Sequence, residues 1–161
     1  MKPHAIDVYL AVTLLAVFLF FAHRLKAQSR AVDEPMAKVQ PLNNDALLKM
    51  IAEVESWDGE SVGAAGEAGP CQVKPSTWYD YSREPFPYSG AKWRGPEAQR
   101  MLHAHAEFIR DEMERHHLPQ TAFTFALCWK AGVGHVLRNT VKRADKEYSE
   151  RAENLYRELI K

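Results

Sequence analysis

The chain has 161 residues, close to half of them apolar, which is enough for one sizeable core and a short appendage. Its 21 Lys and Arg balance 21 Asp and Glu, so no global field draws it toward nucleic acid or acidic lipid. The two cysteines, Cys71 and Cys128, stand in no Cys-x-x-Cys or Cys/His spacing; they exclude a disulfide framework and a zinc site, and leave one bridge or two small buried thiols.

The first segment is the compositional anomaly. VYLAVTLLAVFLFFA, residues 8–22, carries no charge over fifteen positions, a length between a signal-peptide core and a full membrane span. Extended back across Asp7 to Ala5 it reaches the lower limit for a spanning helix. Residues 1–22 read as a membrane anchor or a signal peptide, with the anchor preferred because FFAHRLKA offers only a poor small-x-small cleavage site. A buried core helix is the remaining alternative. Arg24, Lys26 and Arg30 follow the apolar run while only Lys2 precedes it, an asymmetry that favours keeping the following domain on the cytoplasmic side. Residues 23–44 are polar, contain two prolines and show no sustained apolar period; they read as a flexible tether that reaches about 70 Å when extended.

From residue 45 to 161 the periodicity is helical almost throughout and no run alternates as a strand, so this domain is expected to be mainly α. NNDALLKMIAEVES opens on an Asn/Asp cap and places Leu47, Leu48, Ile51 and Val54 at helical spacing. PSTWYDYS predicts a short helix, followed by the Pro-rich loop REPFPYSGAKWRG. GPEAQRMLHAHAEFIRDEMERHH has proline in its first turn and Leu102, Ala106, Ile109 and Met113 along one face. PQTAFTFALCWKAG is apolar nearly all round and ends at Gly132, the pattern of a buried helix with a glycine cap. In KEYSERAENLYRELI, Tyr148, Ala152, Leu155, Tyr156 and Leu159 fall in register.

Between the first two helices AEVESWDGESVGAAGEAGP gathers five carboxylates, Glu53, Glu55, Asp58, Glu60 and Glu67, with no Lys or Arg among them. At about 100° per residue Glu55 shares the sector of Leu48 and Ile51, whereas Glu53 lies about 140° from Leu48. Glu55 is therefore placed on the apolar face, where desolvation raises a carboxyl pKa and suits it to act as a general acid. The alternative is a frayed helix end whose carboxylate turns to water. Asp58, Glu60 and Glu67 lie in a stretch with four glycines between Gly59 and Gly69, and read as exposed loop charges, Glu67 most plainly. A second carboxylate for glycoside chemistry is the other role open to them. The seven histidines show no HExxH, and His103 and His105 face different ways on a helix, so they give no metal site. No phosphate-binding Gly-rich loop and no nucleophile elbow is present.

The order VES, glycine-rich loop, GEAGPCQVKPSTW resembles the Glu-Ser and Gly-x-x-Gly-x-x-Gln pattern of the lytic transglycosylase and lysozyme superfamily. ALCWKAG is similar to that family's Ala-rich helix ending in Tyr-Asn-Ala-Gly, and KEYSERAENLY to its Glu-Thr-x-x-Tyr-Val segment. The resemblance implies a lysozyme-like helical domain that cleaves the β-1,4 bond between N-acetylmuramic acid and N-acetylglucosamine in peptidoglycan glycan strands without a cofactor. It implies Glu55 as the catalytic acid, with Ser56, Gln72, Trp129, Lys130 and Tyr148 on the substrate side or supporting the acid. With the N-terminal helix in the inner membrane, the domain would face the periplasm; with that helix cleaved, it would be secreted. Two departures stand out. Lys130 occupies the place of the family's asparagine, and a cation there lowers the pKa of a carboxyl close to it. The Glu55 to Gln72 spacing is one residue shorter than the commonest transglycosylase pattern, and GPCQVKPSTWYD is as close to invertebrate-type lysozymes, yet SVGAAGEA has no aspartate before Glu67. Besides the transglycosylase, a hydrolytic lysozyme and an inactive glycan-binding or scaffold module are therefore expected alternatives.

Overall fold

The computed structural model describes residues 41–55, 62–88 and 90–161. The membrane-anchor or signal assignment and most of the tether fall on residues 1–40, and Ser56, Asp58 and Glu60 on 56–61; all lie outside the described residues. No helix among the described residues is long and apolar enough to cross a membrane.

The domain is mainly α, and among the described residues its only β pairing is one isolated bridge, Ala68 with Val73. Its elements are α1 (Asn44–Glu55), α2 (Pro75–Tyr81), a 3-10 helix (Gly90–Arg94), α3 (Pro96–Arg115), α4 (Ala122–Ala131), α5 (Val133–Leu137) and α6 (Arg143–Leu159). Helix α4 packs on α6, α3, α1 and α5, and α1 is held between α6 and α3.

Local signals account for most of these boundaries. The Asn43 side chain accepts from the Ala46 N–H at 3.0 Å and caps α1, while its own N–H donates to the Tyr156 hydroxyl at 3.0 Å. Arg110 donates to the Asn44 side chain at 2.9 Å, so the first turn of α1 is tied to both α6 and α3. Leu42 is buried, and the packed unit begins at Pro41, so the last residues expected in the tether belong to the domain. Prolines open α2 and α3, where a missing N–H costs nothing. Thr121 caps α4 by accepting from the Thr124 N–H at 3.1 Å, and Gly132 closes it. In α3, Leu102, Ala106, Ile109 and Met113 are all buried, as their spacing requires. In α6, Tyr148, Ala152 and Tyr156 are buried, and Leu155 and Leu159 are partly buried against the core.

The Pro-rich loop after α2 joins the core through aromatic rings. Trp78, Phe86 and Trp93 meet edge to face with centroids 5.6 to 6.1 Å apart. Gly69 belongs to this cluster. Its φ is +80°, and a β-carbon there would stand 2.3 Å from the Trp93 ring, so both backbone and space demand glycine.

Candidate active site

Helix α1 carries Glu55 on its last residue, at the floor of a cleft of about 760 Å³. The cleft is walled by the loop from Gly63 to Lys74, by one face of α3, and by the end of α4 with α5. Glu55 keeps 12 % of its side chain exposed against 42 % for Glu53, which lies on the surface within 3.9 Å of Lys49. The helical phase that separates the two therefore operates in the fold.

Three groups surround the Glu55 carboxylate. The Lys130 ammonium donates to it at 3.1 Å. The same ammonium stands 4.9 Å over the Tyr148 ring, so aromatic face and carboxylate hold it from two sides. The Tyr148 hydroxyl is buried with no hydrogen-bond partner of good geometry, and burial together with the Glu55 charge pushes the phenol well above its ordinary range. Under the site, burial and then the Glu55 charge push the Cys71 thiol up to about 12. Cys71 and Cys128 are both buried free thiols, and the Cys71 Sγ is directed to the Leu48 carbonyl at 3.6 Å.

Gln72 reaches the cleft from a tight turn. Ala68 and Val73 exchange backbone hydrogen bonds at 3.0 and 2.9 Å, and the chain between them reverses with Gly69 at φ +80° and Gln72 at φ +47°. A non-glycine residue in the left-handed region is disfavoured, and such residues gather at functional sites. Gln72 is half-buried, and its amide donates to the Gly69 carbonyl at 3.2 Å. Trp129 fixes this turn from the other wall: its indole N–H donates to the Cys71 carbonyl at 3.2 Å.

The fold thus brings Glu55, Gln72, Trp129 and Lys130 to one cleft, with Tyr148 beneath. It corrects one expectation and adds a wall. Glu67, expected as an exposed loop charge, is half-buried and lines the cleft. Its carboxylate accepts from the Ala65 N–H at 2.9 Å, and a β-carbon on Gly63 would stand 2.5 Å from Glu67 Oε2 and 3.0 Å from Gln72 Oε1. The absence of a side chain at Gly63 is what lets the Glu67 and Gln72 side chains lie together. The added wall is the α3 face of His105, Phe108 and Glu112, three and four residues apart. The His105 ring meets Trp129 edge-on at 4.9 Å and its Nδ1 is 3.3 Å from the Tyr81 hydroxyl; burial pushes it down to about 4 and keeps it neutral. Phe108 is 47 % exposed at the rim, as is Leu137 at 42 % from α5. A large aromatic exposed beside His105, off the apolar stripe of α3, was the sequence signal for this wall.

A recessed carboxyl, a glutamine amide, the exposed Phe108 ring and the half-buried Trp129 ring suit a polyhydroxylated ligand, whose ring faces stack on aromatic groups while its hydroxyls and amides hydrogen-bond. Among the described residues no group of three or more His, Cys, Asp or Glu is disposed to hold a metal ion. The chain matches no protein-family model, no curated protein and no solved structure. The chemistry of the cleft is therefore read from its own residues.

Proposed function

We propose that this domain is a lysozyme-like glycosidase of lytic transglycosylase type, acting on the bond between N-acetylmuramic acid and N-acetylglucosamine in peptidoglycan. The observation that carries the reading is Glu55: a recessed carboxyl at a helix end, flanked by Lys130 and Tyr148 and facing a cleft shared with Gln72 and Trp129. Glu55 gives its proton to the glycosidic oxygen as the bond from the muramyl C1 breaks. The muramyl 6-hydroxyl then closes on C1, and its proton returns to Glu55. The product is a 1,6-anhydro ring, no water is consumed, and the acid is regenerated. Gln72 and Trp129 position the sugars, and Tyr148 supports the acid from below. Ser56, adjacent to Glu55 in the chain, completes the proposed contacts. In the cell we place the domain on the periplasmic side of the inner membrane, tethered by residues 1–22, because its substrate is there.

Two observations favour other readings. Glu67 in the same cleft fits a hydrolytic lysozyme in which a second carboxylate activates water. The Lys130–Glu55 ion pair fits an inactive glycan-binding module, since a carboxylate bonded to an ammonium is not ready to deliver a proton. Incubation with purified sacculi decides among them. Release of muropeptides by the wild-type chain, abolished in Glu55→Gln and largely kept in Glu53→Gln, is the expected result. Binding to sacculi without release would establish the inactive module.

A further inference from the structure

We propose that Lys130 receives a carboxylate of the substrate, so that the cleft selects muramyl-containing strands over neutral N-acetylglucosamine polymers; this rests on reading the cleft as a peptidoglycan-cleaving site. Lys130 stands in the last turn of α4, with its ammonium 3.1 Å from Glu55 and 4.9 Å over the Tyr148 ring. An ammonium has three donors. Glu55 takes one, the ring attracts the charge from a second side, and the remaining side is open, since 41 % of the Lys130 side chain is exposed against 12 % for Glu55.

A ligand seated over Glu55 covers that open side. Covering an ammonium without offering it an acceptor is costly, and an ionised acceptor makes the stronger bond. A polymer of N-acetylglucosamine has only neutral hydroxyls and amides to offer. A muramyl residue adds an acid, which is the free lactyl carboxylate in peptide-free strands and a carboxylate of the stem peptide where the lactyl group is amidated. Such a carboxylate also competes with Glu55 for the ammonium. Once Lys130 has this new partner, Glu55 is released from the ion pair without leaving the covered ammonium uncompensated. The Lys130–Glu55 ion pair then marks where the ligand's charge goes.

Binding of three oligosaccharides to the full chain, measured calorimetrically in the cold ahead of turnover, tests this. The probes are neutral tetra-N-acetylglucosamine, a peptide-free tetrasaccharide alternating N-acetylglucosamine with N-acetylmuramic acid, and the same tetrasaccharide carrying stem peptides. Wild type is expected to bind a muramyl probe roughly tenfold or more above the neutral one, the size of one charge-assisted hydrogen bond. Lys130→Met should bring that ratio close to one by removing the muramyl advantage, and Lys130→Arg should keep it. A preference already present with the peptide-free probe assigns the lactyl carboxylate; one present only with the third assigns the stem peptide. An equal ratio in wild type and Lys130→Met overturns the proposal and leaves the glycosidase reading standing. Failure of all three probes to bind the wild type overturns both.

Discussion

The Trp129 indole N–H donates to the Cys71 carbonyl at 3.2 Å, across 58 positions of sequence, and joins the end of α4 to the turn that carries Gln72. Trp129→Phe keeps a ring against Phe125 and His105 but removes the donor from the carbonyl of the buried turn residue Cys71. The expected loss is about 1–2 kcal/mol of stability, because the Cys71 carbonyl loses its side-chain partner. Glycan cleavage should fall roughly tenfold as the Gln72 turn loosens, on the scale of the same missing bond. Urea unfolding and initial rates on sacculi measure the two together; an unchanged unfolding midpoint would show that the bond carries no weight.

Replacing Glu67 separates the two product chemistries. If Glu55 alone does the chemistry, muropeptides end in 1,6-anhydro rings, one water lighter than reducing ends, and Glu67→Gln slows release by no more than roughly threefold without changing the product. That is the expected outcome, since Glu67 is already engaged by the Ala65 N–H. Mass spectrometry of the digest separates the cases. Reducing ends that disappear in Glu67→Gln would identify a two-carboxylate lysozyme.

Gln72 should show a divergence between stability and activity. Its φ of +47° disfavours a side chain by about 1 kcal/mol, which glycine removes at the expense of the amide contact to Gly69. Gln72→Gly is expected to unfold within about 1 kcal/mol of wild type, and Gln72→Ala below it, while both lose most cleavage. Thermal unfolding of the two variants checks the order, and an alanine variant more stable than the glycine variant would refute the left-handed turn.

His105 sets an acid limb. Its ordinary value is 6.5 and burial lowers it to about 4, so in the folded state it stays neutral where the unfolded chain is protonated. The unfolded state then binds the extra proton, and stability is present in full above pH 6.5 and falls as pH drops toward about 4. The slope is about 1.4 kcal/mol per pH unit for one group. The difference between wild type and His105→Gln in urea unfolding, taken across that window, should carry this slope and flatten outside it. A constant difference would mean that His105 titrates alike in both states.

The long helices were legible because each has one apolar stripe or, in α4, apolar residues all round, and because Asn, Pro and Gly stand at the ends of α1, α3 and α4. Helix α5 and the 3-10 helix have five residues each, too few for a period to show. Glu55 was legible for the same reason as its helix. Glu67 was not, because what half-buries it is Gly63 and Gln72 folding over it, a contact made by the path of a loop and written in no local pattern. The α3 wall escaped for a related cause: periodicity finds the stripe that faces the core, and the neighbouring stripe becomes a cleft only when other elements pass opposite it.

The contact between Gly69 and Trp93 gives the protein a built-in optical gauge. The Trp93 ring lies flush against the turn that presents Gln72, is fully buried, and has an indole N–H with no hydrogen-bond partner. An indole held dry and unbonded emits at short wavelength, and a small retreat of the turn would admit solvent to it and shift the emission to the red. The part of the emission that disappears on replacing Trp93 with Phe, taken apart from that of Trp78 packed beside it, therefore reports whether the turn that presents Gln72 keeps its seat.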